Sequence, residues 1–296
     1  VTDAIDIVRL PGDGFAGRFR AMASPCEVLV DGADKHELNE LTALAARESW
    51  RIENRWSRYR KGNIVNRINS AEGRPVEIDE ETARVIDFCA QLHVTSEGRF
   101  DLTSGVLRRA WRFDADRKLP DAGVIDALLS LIGWHRVDWR NPLLRLQPGM
   151  EIDFGGIGKE YAVDRSLVLL SAATDKPVMI NYGGDLAANR PRRNGTPWQV
   201  GIDSGVPDTA TPVIRLTQGG VATSGDTHRH VEAGGQRYGH ILDPRTGWPP
   251  PAAPRSVTVA SGTCVEAGAL STIALLHGAQ AEDWLRSQHA DFHVVR

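Results

Sequence analysis

No apolar run in this 296-residue sequence approaches the roughly 20 residues that a membrane-spanning helix needs. Cysteine is scarce. Cys26, Cys89 and Cys264 are odd in number and far apart, which excludes a disulfide framework and a cysteine-based metal spacing. They are expected as reduced, mostly buried thiols. Charge of one sign is lacking too. A formal net charge of −3 gives the chain no pull toward nucleic acid or an anionic membrane. There is no internal repeat and no low-complexity tract. Residues 1–17 lack a basic start followed by an apolar stretch, so no signal peptide is visible. The location expected from this is cytoplasmic, with the periplasm as the alternative if a segment upstream of Val1 has been removed.

Several catalytic signatures are missing as well. There is no Walker phosphate loop, no dinucleotide fingerprint, no G-x-S-x-G elbow and no H-E-x-x-H helix. What stands out instead is Glu151-Ile152-Asp153-Phe154-Gly155-Gly156-Ile157-Gly158-Lys159-Glu160-Tyr161-Ala162-Val163-Asp164. A short apolar segment with one acid runs into three glycines and a lysine, then into a helical pattern. Glycine lets backbone approach a ligand closely, and a helix N-terminus offers N–H groups to an anion. Asp153 would repel that anion unless it holds a metal or accepts a hydrogen bond. The stretch reads as a site for a phosphate-bearing ligand with a divalent cation. On spacing alone, an ordinary strand-to-helix turn with an exposed lysine is an equal reading.

Hydrophobic periodicity predicts helices over 36–55, 80–96, 102–111, 121–132 and 161–171. Strands are predicted over 27–30, 76–78, 178–182, 198–202 and 257–259. Residues 185–196, with Arg190, Arg192 and Arg193, read as an exposed, solvated loop. Helix-rich and strand-rich stretches are partly segregated, which favours α+β over a regular βαβ array.

Four further segments combine glycine with polar groups: residues 99–105, 181–185, 220–226 and 239–247. Each alone reads as a turn. Together they favour a polar ligand site. His228, His230, Glu232 and His240 invite a zinc reading, since His at i and i+2 would share one face of a strand.

Taken in order, these motifs resemble the FAD:protein FMN transferases, the ApbE-like flavin transferases, over residues 22–278. Met22-Ala23-Ser24-Pro25 is similar to the family's Met-Gly-Thr strand. Trp56-Ser57-Arg58-Tyr59 and Ile64-Val65-Asn66-Arg67-Ile68-Asn69 are similar to its Ser-x-Tyr segment and the Asn-ending run after it. Gly98-Arg99-Phe100-Asp101-Leu102-Thr103 with Trp111-Arg112-Phe113 is similar to Gly-x-Phe-Asp-x-Thr and Trp-x-Phe. The 153–164 stretch resembles Asp-x-Gly-Gly-Ile-Ala-Lys-Gly-Tyr-Ala-x-Asp, and 181–185 resembles Asn-x-Gly-Gly-Asp. Thr223-Ser224-Gly225-Asp226 and His240-Ile241-Leu242-Asp243-Pro244-Arg245-Thr246-Gly247 match closely. Each motif is weak alone. Their order and spacing are specific.

The resemblance implies an α+β fold, a single large two-lobed domain of the ApbE-like, T-fold-related type with mixed sheets flanked by helices. It would cover residues 21–296, with 1–20 as an N-terminal extension. It implies an Mg²⁺-dependent transferase that moves FMN from FAD onto a Thr or Ser hydroxyl and releases AMP. The partner would be a target flavoprotein carrying a Ser/Thr-Gly-Ala-Ser/Thr-type motif, with no nucleic acid and no membrane span. Met22, Tyr59, Arg99, Phe100, Asp101, Asp153, Gly155, Lys159, Ser224, Gly225 and Leu242 fall to FAD. Gly156, through its carbonyl, and Ser271 and Thr272 fall to the metal. His240 is the catalytic histidine, with Asp153 beside it in the catalytic set.

Departures accompany the match. The family's Ala-Asp-Ala-x-x-Thr run is Ala267-Gly268-Ala269-Leu270-Ser271-Thr272 here, so its acid is Gly268. Gly158 replaces the usual Ala, and Glu160 the glycine after the lysine. Magnesium depends on carboxylate and other oxygen ligands, so the loss at 268 is expected to weaken the site. Glu266 is not expected to replace the missing acid, because on a helix it faces elsewhere. Restoring it by Gly268→Asp is expected to raise Mg²⁺ affinity and turnover. Two alternatives follow: an FAD-binding protein of the same fold with an impaired metal site, or a metal-dependent FAD pyrophosphatase yielding FMN and AMP.

Overall fold

The computed structural model describes residues 4–11, 14–113, 118–202, 212–226 and 229–296. Its main sheet has eight strands: Asp6–Arg9, Phe15–Ala21, Ser24–Val30, Val178–Tyr182, Asp185–Ala188, Gly219–Gly225, Ser256–Ser261 and Asp291–Val295. They pair antiparallel in that order across the sheet. Chain order and spatial order agree, so every helix is an insertion between neighbouring strands. The boundary drawn at 20/21 falls inside the Phe15–Ala21 strand, and the residues before it form an edge of this sheet.

Three helices, Lys35–Trp56, Gly158–Ala173 and Cys264–Leu276, lie side by side over the sheet. The first buries Leu38, Leu41, Ala45 and Ile52, the stripe its periodicity predicts, and Trp56 beyond the predicted end. Asp34 caps it by accepting from the Glu37 N–H at 2.9 Å. The third helix starts so close to the sheet that a Cβ on Gly220 would lie 2.2 Å from the Cys264 nitrogen. Asp164, on the second helix, accepts from the N–H groups of Cys264 and Val265, each at 2.9 Å. One helix thus caps the next and fixes their relative position. Among the described residues, no helix is long and apolar enough to cross a membrane. All three cysteines are free and buried.

Two predicted elements differ. Residues 185–196 open with the Asp185–Ala188 strand, buried at all four positions, rather than an exposed loop. Asp185 disguised it, because a lone acid reads as solvent-facing until its buried partner is known. The 102–111 helix is a 3₁₀ helix, Leu102–Arg109, started by Asp101, whose carboxylate accepts from the Thr103 N–H at 2.7 Å. The Arg192 and Arg193 cluster is tied to Asp31 at the surface.

Candidate functional site

Sheet register gathers the predicted residues at one end of the sheet. Ala21 pairs with Ser24, Cys26 with Tyr182, and Tyr182 with Asp185. The Met22–Ala23 and Gly183–Gly184 turns therefore stand side by side, joined by the Gly183 N–H donating to the Pro25 carbonyl at 2.9 Å. Met22 and Ala23 form a two-residue hairpin turn with φ of 49° and 58° rather than part of a strand. Positive φ on two residues with side chains is strained. It presents Met22 at the sheet end, half-buried against the core.

The Asp153 segment reaches the same place through backbone bonds. Asn69 accepts from the Ile152 N–H at 2.8 Å and donates to the Ile152 carbonyl at 3.0 Å. The Asp153 N–H donates to the Leu102 carbonyl at 3.0 Å, joining this segment to the 99–105 segment. Asp153 accepts from the Gly155 N–H and forms an ion pair with Arg58. Arg58 also donates to the Tyr59 hydroxyl at 2.7 Å and lies 4.9 Å from the ring centroid. Burial works to lower the Arg58 pKa, yet Asp153 and the Tyr59 hydroxyl together outweigh it and raise the net value. Tyr59 is 77% exposed, a large aromatic ring held out into solvent by a charged neighbour.

Gly155 and Gly156 are exposed in the turn that follows. The Gly158–Ala173 helix has Ile157 at its N-cap, without a side-chain cap bond. A Cβ on Gly156 would touch the Phe100 ring at 3.6 Å. Phe100 is buried, and its N–H donates to Ser96 Oγ at 2.9 Å. Asp101 is buried deeper than its predicted role suggests. Its oxygens accept from the Thr103 N–H, the Thr103 hydroxyl and the Trp134 N–H, and His93 Nδ1 lies 3.1 Å away as an ion-pair partner. Burial works to raise its pKa, but these partners outweigh it and lower the net value. Arg99 bonds Glu97 and the Ser96 carbonyl, while its Nε is buried without a partner.

Lys159 turns inward. Its ammonium lies 2.8 Å from the buried Asp185 carboxylate. Burial alone would lower the Lys159 pKa, but the acidic groups around it, Asp185 first and Glu160 next, together raise it. Glu160, in the next position, is buried, and its Oε2 has no hydrogen-bond partner. Burial, reinforced by Asp185, pushes the Glu160 carboxyl well above the usual carboxylate range. A Cβ built on Gly268 would lie 2.6 Å from Glu160 Cγ. A side chain introduced by Gly268→Asp would meet Glu160 there, so it would not enter an empty space. Four residues along the same helix face, Thr272 bonds Ser224 at 2.8 Å, and Ser271 bonds Ser224 at 2.8 Å. Glu266 points away and accepts from Ser261.

His240 closes the group. Its Nδ1 lies 3.1 Å from the Arg229 carbonyl, so Nδ1 carries the proton and Nε2 keeps a free lone pair. Burial, helped by the Arg229 charge, lowers its pKa, and Lys159 is close enough to add to the effect. Leu242 sits among Trp111, Tyr238 and Trp248 in a separate apolar cluster. Trp111 Nε1 donates to the Gly247 carbonyl at 2.8 Å and ties the 239–247 segment down. Gly225 ends its strand beside Asp226, which holds Arg237. For the zinc reading, His230 Nδ1 bonds the Asp226 carbonyl and its Nε2 lies 3.4 Å from Glu232, while His228 lies outside the described residues. A cleft of about 1000 Å³ lined by Arg51, Arg55, Arg60 and Arg67 holds none of the predicted residues.

Sequence reasoning gave no role to Arg58, Asn69, Asp164 or Asp185, although each lay inside a quoted motif. It treated Glu160 and Gly268 as unrelated departures. No local signal could have joined two positions 108 residues apart.

Comparison with known proteins agrees with this arrangement. The sequence model of the ApbE family matches residues 22–295. The FAD:protein FMN transferase of Haemophilus influenzae is 28% identical over 236 residues, 75% of this chain and 68% of that protein. That of Klebsiella pneumoniae is 26% identical over 288 residues, 93% and 82% of the two chains. The ApbE protein of Thermotoga maritima superposes with a TM-score of 0.85 at 27% identity, covering 98% of this chain and 94% of its own. The apo flavinyl transferase ApbE of Pseudomonas stutzeri gives 0.84 at 26% identity, over 99% and 92%. The motif order, the antiparallel sheet that brings those motifs to one end and the family match over nearly the whole length lead to one conclusion: the chain belongs to the ApbE family.

Proposed function

We propose that this protein is an FAD:protein FMN transferase. The observation that carries the reading is the helix start after Gly155 and Gly156, which has no side-chain cap and has Lys159 in its first turn. A helix N-terminus without a side-chain cap, opened by two exposed glycines, suits a pyrophosphate. Tyr59 offers an exposed face to a planar ring, and Met22, Phe100 and Leu242 offer apolar contacts. Arg99, Asp101, Asp153, Ser224 and Gly225 complete the proposed FAD set.

In the transfer, a Thr or Ser hydroxyl oxygen of the target forms a bond to the FMN phosphorus. The bond from that phosphorus to the bridging oxygen breaks, and AMP leaves with that oxygen. The hydroxyl proton passes to His240 Nε2. His240 suits this task because its Nδ1–H is occupied by the Arg229 carbonyl and its depressed pKa keeps it neutral near pH 7. Arg58 holds Asp153 in place at the mouth of the turn.

The residues present fit a hard divalent cation. The donors are oxygens only, and one buried carboxyl oxygen lacks a partner. The Gly156 carbonyl and the Thr272 hydroxyl, with Ser271 and Ser224 behind Thr272, would hold Mg²⁺. When bound, it would neutralise charge on the pyrophosphate.

The test is one incubation of the purified chain with FAD, Mg²⁺ and an acceptor protein bearing a Ser/Thr-Gly-Ala-Ser/Thr-type motif. The acceptor is expected to gain the mass of FMN less water, with matching AMP in solution. Free FMN and AMP with an unmodified acceptor would mean hydrolysis. Bound, intact FAD would mean a binding protein. Either overturns the proposal.

A further inference from the structure

We propose that Glu160 is the acidic ligand of the cation site in this protein, carrying on the Gly158–Ala173 helix the carboxylate that the family carries at position 268. The inference rests on the transferase reading for the identity of the cation, and it assigns a ligand that the resemblance does not supply.

The two departures from the family pattern meet in space. A Cβ on Gly268 would lie 2.6 Å from Glu160 Cγ and 3.1 Å from both Cδ and Oε1. The Glu160 carboxyl therefore fills the volume that an acidic side chain at 268 would enter. A glycine at 160 with an acid at 268, or an acid at 160 with a glycine at 268, each fills this space once. Both acids together overfill it, and two glycines leave it empty.

Position supports a ligand role. Gly268 and Thr272 are four residues apart on one helix face, so a group packed on Gly268 lies one turn from the Thr272 hydroxyl. Glu160 itself lies four residues after Gly156, in the first turn of the helix that the glycine turn opens. Asp164 fixes the two helices together through the Cys264 and Val265 N–H groups.

The state of the carboxyl points the same way. Glu160 Oε2 is buried with no hydrogen-bond partner. Buried polar oxygens are normally satisfied, and one without a partner calls for an explanation such as an ion. Asp185 and Glu160 are both buried. Lys159 is committed to Asp185 at 2.8 Å. A divalent cation beside Glu160 supplies the positive charge that this second carboxylate lacks.

The experiment measures Mn²⁺ binding to the full-length chain by electron paramagnetic resonance, without FAD and with it. Four proteins are compared: the wild type, Glu160→Gln, Gly268→Asp, and the double exchange Glu160→Gly with Gly268→Asp. Melting curves establish that each is folded. Glu160→Gln keeps the side-chain shape and is expected to weaken Mn²⁺ by about tenfold or more. Gly268→Asp alone is expected to melt earlier without tighter binding. The double exchange is expected to recover affinity to within a few-fold of the wild type. Wild-type affinity in Glu160→Gln, or no Mn²⁺ binding by the wild type in either state, would overturn the proposal. So would a folded double exchange that binds no better than Glu160→Gln. The readout needs no acceptor. A chain that binds Mn²⁺ through Glu160 but transfers no FMN would defeat the functional reading alone. A chain that transfers FMN while Glu160→Gln leaves Mn²⁺ affinity intact would defeat this inference alone.

Discussion

Replacing Asn69 tests whether the Asp153 segment is held as described. Asn69 accepts from the Ile152 N–H at 2.8 Å and donates to the Ile152 carbonyl at 3.0 Å. Ile152 is 1% exposed, so water cannot take over either bond without local opening. Asn69→Ala leaves one buried donor and one buried acceptor without partners. Each such group costs about 1–3 kcal/mol, and with partial relaxation we expect about 3 kcal/mol in total. Urea unfolding followed by circular dichroism reads this as a lower midpoint with an unchanged slope. Asn69→Asp sharpens the test. Near pH 7 the new carboxylate keeps the bond from the Ile152 N–H but presents lone pairs to the Ile152 carbonyl, so the loss is expected to be at least as large. Once protonated, the carboxyl of this variant can again donate to that carbonyl. Its folded-state pKa is then raised above the unfolded value. Stability so gained is fully present below the unfolded pKa and is lost as pH rises through the folded pKa. The gap between the Asp and Ala variants should therefore shift in favour of Asp as pH falls from 7 to 4. A cost below about 0.5 kcal/mol for Asn69→Ala, the range of an ordinary surface change, would refute the reasoning. So would a pH-independent gap.

Three other outcomes are expected. Because burial and Arg229 depress His240, the acidic limb of kcat/KM for FMN transfer should fall below the ordinary histidine value near 6.5; a limb above it, or full activity in His240→Ala, would remove His240 as the base. His93 and Asp101 form an ion pair, 3.1 Å apart, that raises the His93 pKa, Asp101 being the chief cause, and helps to lower that of Asp101. The histidine's contribution is fully present below its unfolded pKa and fades as pH rises through its folded pKa, whereas the aspartate's is present above its unfolded pKa and fades as pH falls through its folded pKa. Stability measured by urea should thus decline on the alkaline side of about pH 6.5, and His93→Gln should flatten that decline; an unchanged profile in His93→Gln would show that the pair is not responsible. Asp164→Ala removes the acceptor for two N–H groups at a helix start and should cost about 1–3 kcal/mol while weakening Mn²⁺ binding. Unchanged Mn²⁺ affinity in that variant would show that the cap does not position the cation site.

Local sequence determined a good deal. The apolar stripe of the Lys35–Trp56 helix, the Val178–Tyr182 strand and the glycine turn before Lys159 are all legible because periodicity and glycine act over a few residues. Motif order sufficed to point to the family. Asp185–Ala188 was not legible, because what makes an acid a strand residue is Lys159 packed against it from a helix 26 residues earlier. Nor were the jobs of Asn69 and Asp164, whose partners are backbone groups at Ile152 and at Cys264 and Val265. Gly268 is the clearest case. Its sequence shows only a lost acid, while the fold places Glu160 in the vacated space. Propensity and pattern are properties of neighbours along the chain. Which carboxylate shares a volume with which glycine is decided only when two helices are packed together, since steric exclusion and buried charge act through space.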